Sequence, residues 1–205
     1  MIRVVDYGLG NVSAFLAVYR ELNIPAGAAR DPDDLKDAHK LILPGVGAFD
    51  HAMRLLDGSG MRGALDVLVQ DKKLPVLGVC IGMQMLGHSS EEGRAAGLGW
   101  MDARVRKLSA RPTQRLLLPH MGWNDVQPVA SSVLFAHIAP GARFYFLHSY
   151  GLDCARAGDV AALAFYGRDF HCAVQAGNVY GVQFHPEKSH QGGVQLLKNF
   201  AELAC

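Results

Sequence analysis

The sequence predicts an α/β fold: a central, largely parallel (mixed) sheet flanked by helices and continued by an antiparallel extension. Three observations predict it. Short β-branched runs alternate with helical patterns through the first half of the chain. Those runs are apolar on both faces, as strands covered by helices on either side must be. The second half changes to closely spaced strand patterns joined by turns, the signature of antiparallel pairing.

In chain order, residues 2–5 read as a strand, followed by a turn at Gly8 and Gly10. Val12, Phe15, Leu16, Tyr19 and Leu22 then recur at helical spacing, with Asn11 or Ser13 as N-cap. Leu41, Ile42 and Leu43 form a second buried run, closed by Pro44 and Gly45. Residues 48–56 and 61–71 are expected to be helical. Residues 75–79 make a third buried strand, and 81–87 restart a helix. Beyond it, residues 104–108, 124–126, 143–150, 160–166 and 172–175 read as strands. Ala176, Gly177 and Asn178 make a hairpin turn into residues 179–184. A closing helix places Val194, Leu197 and Phe200 on one face.

The 205 residues are half hydrophobic and 19% charged, with a mean hydropathy of +0.10. This is material for one buried core, so a single domain over residues 1–205 is expected. The formal net charge is +1 with no Lys/Arg run, which argues against a nucleic-acid or anionic-membrane surface. No secretory h-region and no stretch of membrane-spanning length is present, so a cytoplasmic protein is expected. Of the four cysteines, Cys80, Cys154, Cys172 and Cys205, none falls in a C-x-x-C pair. No metal site is therefore read, and the thiols are expected to be reduced and, in the plain reading, buried small hydrophobes.

Cys80 departs from that plain reading. Gly78-Val79-Cys80-Ile81-Gly82 lies between a buried strand and a helix, the pattern of a strained nucleophile elbow with Cys in place of Ser. The glycines let backbone approach backbone where a Cβ would clash. The turn lifts Cys80 out of the sheet at a helix N-terminus, which favours a thiolate. The amide of Ile81 becomes an oxyanion donor. Taken alone, the elbow is compatible with a cysteine that only packs in the core.

Far downstream, His185-Pro186-Glu187 ends an apolar run. On an extended backbone residues two apart share a side, so Glu187 would hydrogen-bond one imidazole nitrogen and leave the other to face a thiol. That is the nucleophile–base–orienter logic of a triad. Alone, His185 would read as a partly buried histidine satisfied by Glu187. An oxyanion hole needs a second donor, and a backbone N–H of the Gly45-Val46-Gly47 turn ends another strand at the same sheet edge.

With these motifs the chain resembles the class I (triad-type) glutamine amidotransferases of flavodoxin-like fold, and among them the glutaminase subunits of imidazole glycerol phosphate synthases. The resemblance runs nearly end to end. It is carried by Asp6-Tyr7-Gly8-Leu9-Gly10-Asn11, Pro44-Gly45-Val46-Gly47-Ala48-Phe49, Gly78-Val79-Cys80-Ile81-Gly82-Met83-Gln84, His120-Met121-Gly122-Trp123-Asn124, His148-Ser149-Tyr150 and His185-Pro186-Glu187-Lys188-Ser189.

The resemblance implies that Cys80 attacks the side-chain amide of L-glutamine, with His185 as base and acid and Glu187 as its orienter. It points to Val46 and Gly47 for the second oxyanion donor. Gln84 and Glu92 would hold the glutamine α-amino and α-carboxylate groups, and Ser149 and Tyr150 would bind it through backbone. The plain alternative for Glu92 is a solvated carboxylate beside Glu91. No cofactor is implied. A (β/α)8-barrel cyclase would form a heterodimer through Asn11, Met121, Trp123, Asn124 and Lys188, take up the ammonia, and make imidazole glycerol phosphate and AICAR for histidine. On residue type alone, Trp123 would be a core aromatic and Lys188 a solvated tip.

Four rival readings compete with this one. Gly8-x-Gly10 and Gly45-x-Gly47 suggest a dinucleotide site, but Ser13 and Asp50 stand where the third glycine would be. A non-catalytic scaffold subunit leaves the Cys, His and Glu set unexplained. A cysteine hydrolase acting on peptides or other amides leaves Gln84 unexplained. A paralogue feeding ammonia to amidation of a surface sugar stays open, since Gly151 follows His-Ser-Tyr where a bulkier residue is common in the family.

Overall fold

The computed structural model describes residues 1–109, 116–129 and 132–204; Cys205 lies outside the described residues. The first half alternates as expected: β1 (Ile2–Val5), α1 (Val12–Glu21), β2 (Ala26–Ala29), β3 (Lys40–Gly45), α2 (Phe49–Gly58) and α3 (Arg62–Asp66), which runs on as a π-helical turn over Val67–Asp71. Then come β4 (Val76–Cys80) and the short α4 (Ile81–Met85). Asn11, rather than Ser13, caps α1, its Oδ1 accepting from the Ala14 amide at 3.2 Å. The Gly10 turn sits against the end of β3, where a Cβ would lie 2.7 Å from Pro44 Cβ, and its φ of +90° is one that glycine adopts freely.

The second half is β5 (Ala103–Lys107), β6 (His120–Asp125), β7 (Gln127–Pro128), β8 (Arg143–His148), β9 (Tyr150–Cys154), β10 (Val160–Tyr166), β11 (Arg168–Ala176), β12 (Val179–Val182) and α5 (His190–Glu202). The main sheet has the order β2-β1-β3-β4-β12-β11-β10-β7. Its first five strands are parallel, and β11, β10 and β7 continue it antiparallel. Two hairpin-like pairs, β5–β9 and β6–β8, stand apart from it.

Three readings of the sequence are corrected. The pattern gives no sign of β2, because Ala-Gly-Ala-Ala lacks β-branched residues; it is an edge strand whose one strand partner is β1. The expected strand over 143–150 is two strands that break at Ser149 and pair differently, β8 with β6 and β9 with β5. The strand expected at 124–126 begins earlier, at His120, so the His-Met-Gly-Trp-Asn motif is itself a strand.

Packing fixes where the sheet's carboxyl edge lies. The parallel strands β3, β4 and β12 are buried along their whole length. Tyr19 on α1 is fully buried and its hydroxyl donates to the Leu197 carbonyl at 3.2 Å, tying α1 to α5. At the amino edge, the hairpin residue Asn178 donates to the carbonyls of Val69 and Leu74, both at 2.9 Å. The carboxyl ends of β3, β4 and β12 therefore converge on one edge, where doubly wound sheets bind ligands. Among the described residues, no helix is long and apolar enough to cross a membrane.

The tightest backbone approach at that edge is at Gly82, where a Cβ would sit 1.8 Å from the Leu43 carbonyl oxygen. Gly82→Ala should cost about 3 kcal/mol or more, because rigid backbone must move. Gly63→Ala, at an exposed helical site with nothing within 4 Å of the new Cβ, should be neutral or gain up to about 1 kcal/mol. Urea midpoints of the two variants check the contrast.

Candidate active site

β4 ends in a backbone that most residues avoid. Cys80 has φ +56° and ψ −110°, and α4 starts immediately after it with no side-chain cap on its first N–H groups. Gly78 and Gly82 permit this: a Cβ at Gly78 would lie 2.6 Å from the Gly82 carbonyl oxygen. Gly45 pairs with Cys80 in register, so the turn after β3 stands beside the elbow. Tyr7 fixes that turn by donating its hydroxyl to the Pro44 carbonyl at 2.7 Å. Burial, with the charge on Cys80 as a smaller cause, keeps this hydroxyl protonated.

β12 delivers His185 to the same edge. The His185 amide donates to the Tyr145 carbonyl at 2.9 Å. Ser189 locks the junction from the other side: its hydroxyl donates to the His185 carbonyl at 2.6 Å and accepts from the Tyr145 amide at 3.1 Å. The Glu187 carboxylate accepts from His185 Nδ1 at 2.9 Å, with the two side chains only 4% and 3% exposed. The chain between them is a 3₁₀ turn over Pro186–Lys188, not the extended segment expected; the turn, rather than strand alternation, folds the carboxylate back. Burial alone would pull His185 down, but hydrogen bonding to Cys80 and Glu187 and their negative charge outweigh it, raising its pKa to about 9. The imidazole therefore holds a proton at neutral pH next to the Cys80 sulfur, placed to serve as the acid for a departing amide nitrogen.

Cys80, His185, Ile81, Val46, Gly47, Gln84, Glu92, Ser149 and Tyr150 all border one cavity of about 310 Å³, joined by Pro119, Leu147 and His148. That volume is at the small end for ligand sites and suits a free amino acid better than a polypeptide. A larger cavity bordered by Val126, Phe135 and Phe144 is lined by no ionisable side chain and lies away from this chemistry.

Gln84 is buried, and its amide nitrogen donates both hydrogens, to the Tyr150 carbonyl at 2.9 Å and Gln183 Oε1 at 3.0 Å. Its own Oε1 is buried without a partner, an acceptor waiting for a donor. Glu92 is exposed at the cavity rim rather than simply solvated. One of its oxygens accepts the Phe49 amide at 2.8 Å and so caps α2. Asp50 on α2 reciprocates by accepting the Arg94 and Ala95 amides.

The residues expected at a partner surface separate by strand alternation. Met121 and Trp123 point outward from β6, 66% and 38% exposed, opposite Leu147 and Tyr145 on β8. Trp123 stacks on His190 at 4.8 Å, and Lys188 Nζ lies 5.9 Å above the Tyr145 ring. Asn124 turns inward instead, donating to the Phe165 carbonyl at 2.9 Å and reaching His120 Nε2 at 3.3 Å. Asn11 is exposed and is used as the α1 cap.

Sequence reasoning missed Gln183. It is fully buried, holds Gln84, and directs its Nε2 to Cys80 Sγ at 3.8 Å. One amide side chain in the otherwise apolar run from Val179 to Phe184 is the available signal. The other described thiols are poor nucleophiles: burial pushes Cys154 up to about 12 and raises Cys172 as well. Among the described residues, no group of three or more His, Cys, Asp or Glu side chains is placed to hold a metal ion.

Residues 4–203 match the family model described as glutamine amidotransferase class-I. The subunit named imidazole glycerol phosphate synthase subunit HisH from Bdellovibrio bacteriovorus is 57% identical over 204 residues, covering 99% of this chain and all of that protein. The protein of the same name from Leptospira interrogans is 48% identical over 204 residues, with the same coverage. Among solved structures, one titled crystal structure of glutamine amidotransferase aligns with a TM-score of 0.73 at 19% identity, covering 98% of this chain and 99% of the other. A chain of PurLQS from Thermotoga maritima aligns at 0.70 and 16% identity, covering 97% and 96%. Both structural likenesses concern the fold.

Two tests follow from the geometry. The Cys80 backbone stores strain that glycine would relieve, so Cys80→Gly should be about 1–2 kcal/mol more stable than Cys80→Ala although it removes more side chain; equal urea midpoints would argue against strain. His185 titrates near 6.5 when unfolded and near 9 when folded, so its stabilising contribution is full below about pH 6.5 and is lost as pH rises through about 9. The stability advantage of the wild type over Glu187→Gln should therefore be largest near pH 6 and shrink through pH 9, as urea unfolding across that range would show.

Proposed function

The chain belongs to the class I glutamine amidotransferase family, and from that premise we propose that Cys80, His185 and Glu187 hydrolyse L-glutamine to glutamate and ammonia within one domain. The observation that carries this reading is the His185 imidazole, locked by Glu187 and facing the elbow Cys80 at the wall of a small cavity. Cys80 passes its proton to His185 as its sulfur attacks the side-chain amide carbon, and the carbonyl oxygen becomes an oxyanion beside the amides of Ile81 and the Val46–Gly47 turn. His185 gives its proton to the amide nitrogen, the C–N bond breaks and ammonia leaves, producing a thioester. Water, deprotonated by His185, then attacks the thioester carbon and frees glutamate and the thiol. Gln84 Oε1 accepts from the glutamine ammonium, and Glu92 with the Ser149–Tyr150 backbone completes the α-amino and α-carboxylate contacts. Dinucleotide and peptide substrates drop out with the family assignment.

The ammonia passes to a (β/α)8-barrel cyclase that closes the cavity in a cytoplasmic heterodimer, and the product pair is imidazole glycerol phosphate and AICAR in histidine biosynthesis. What supports this pathway over amidation of a surface sugar is the naming of the relatives at 57% and 48% identity along their full length. What supports the docking face is the exposed group Met121, Trp123 and Leu147, beside the cavity that Leu147 borders. Lys188 stands over Tyr145 next to it.

Glutamate release should be abolished in Cys80→Ala, reduced at least about 100-fold in Glu187→Gln, and strongly stimulated by the barrel synthase loaded with its substrate. Lys188→Glu should weaken partner binding by about tenfold, about 1.4 kcal/mol, with little change in thermal stability. Full activity in Cys80→Ala would remove the nucleophile assignment. No hydrolysis with or without the loaded synthase would leave a scaffold subunit.

A further inference from the structure

At the cavity wall, β6 and β8 place two histidines face to face, His148 bordering the cavity and His120 behind it. His120 and His148 are register partners, 4% and 6% exposed, with His120 Nδ1 2.9 Å from His148 Nε2. His148 Nδ1 lies 2.8 Å from the Tyr150 carbonyl, the same carbonyl that receives the Gln84 amide at 2.9 Å. His120 Nε2 lies 3.3 Å from Asn124 Nδ2.

The proton positions in this chain are determined by its ends. A carbonyl only accepts, so His148 carries hydrogen on Nδ1 and presents a lone pair at Nε2. His120 must then donate from Nδ1 and accept at Nε2. Asn124 supplies that donor, since its two N–H bonds go to His120 Nε2 and the Phe165 carbonyl while its Oδ1 accepts the Asp125 amide at 2.8 Å. A second proton on either ring would set two donors against each other. The surroundings agree: His120 is sandwiched between Phe146 at 4.8 Å and Tyr166 at 4.2 Å, with Phe170 edge-on, and Phe170 also packs on His148. Burial lowers the two rings to about 4 and about 3, so both are neutral at physiological pH.

We propose that His120 and His148 are positioning residues for glutamine binding: a one-directional hydrogen-bond chain from Asn124 on β6 to the Tyr150 carbonyl that orients the Gln84 amide. The proposal rests on the glutaminase reading, in which Gln84 Oε1 receives the substrate ammonium. Neither ring is asked to exchange a proton with substrate; what the chain sets is where one carbonyl oxygen sits. Because β6 carries Met121 and Trp123 on its other face, the inner end of the chain is fixed to the strand whose outer face is exposed beside the cavity.

The test uses the full-length chain in a Cys80→Ala background, so that glutamine binds without turnover and calorimetry reads its dissociation constant. His120→Leu removes the donor and should weaken glutamine binding about tenfold, the worth of one buried hydrogen bond lost from a network. His120→Asn puts an amide N–H where Nδ1 stood and should restore binding to within about twofold of the parent. Nitrogen-15 spectra of labelled parent should show hydrogen on Nδ1 and a bare Nε2 in both rings. Equal glutamine affinity in His120→Leu and the parent, whatever their melting temperatures, would overturn the proposal, since a merely structural role lowers the folded fraction and not the affinity of what is folded. Equal weakening in Leu and Asn variants would overturn it too, as would the opposite tautomer. Failure of the parent itself to bind glutamine, with the tautomers as stated, would instead sink the glutaminase reading and this inference with it.

Discussion

The contact on which the site depends is the approach of the Gly82 backbone to the Leu43 carbonyl, with no room for even a methyl group between them. It forces α4 to begin directly at the end of β4, and the sharpness of that turn leaves Cys80 in a left-handed backbone. Such a conformation costs on the order of 1–3 kcal/mol. One or two buried side chains of the Val, Leu or Ile kind offset it, at about 1.5–3 kcal/mol each, and β3 and β4 bury several. The sheet therefore tolerates the elbow easily, and what the strain achieves is direction: the thiol leaves the plane of the sheet at the edge where β3 and β12 also end.

Against that rigid elbow, the charged groups are held in a costly way. His185 and Glu187 are almost wholly buried as a pair, and Glu187 Oε2 is left without a partner. Burying an ion costs several kcal/mol, and a buried pair rarely repays this when lone pairs stay unsatisfied. Stability alone would select a different pair of side chains here. What the arrangement provides is a proton held on His185 and a fixed ring orientation, with Ser189 clamping the backbone on both sides. Gln183 extends the same logic to the thiol, joining Cys80 and Gln84 through one buried amide.

Much of this is legible in the amino-acid sequence. The elbow glycines, the buried runs of β3, β4 and β12 and the His-Pro-Glu spacing are local signals, and each states its geometry in a few residues. What is not legible depends on register and partner choice. Ala26–Ala29 forms a strand only because β1 offers it an edge, and its residues carry no β preference of their own. The break at Ser149 is invisible in an apolar run, because β8 and β9 differ in what they pair with and not in composition. The turn that brings Glu187 back to His185 reads as extended, since residues two apart meet in either conformation under the grip of Ser189. Glu92 caps α2 and Asp50 holds the loop amides of Arg94 and Ala95, both far from them in sequence, a relation that no local window contains.

The β6–β8 pair joins the cavity to the exposed surface, because strict alternation gives it two faces with different tasks. Its outer face exposes Met121, Trp123 and Leu147 beside the cavity, while its inner face carries His120, Asn124 and His148 among Phe146, Tyr166 and Phe170. A pleated strand cannot rotate one face without the other. The inner face is joined to the Tyr150 carbonyl by a continuous run of contacts of 3.3, 2.9 and 2.8 Å. One two-stranded unit thus carries both the exposed patch and the hydrogen-bonded histidines, and it is built apart from the rigid elbow that holds Cys80.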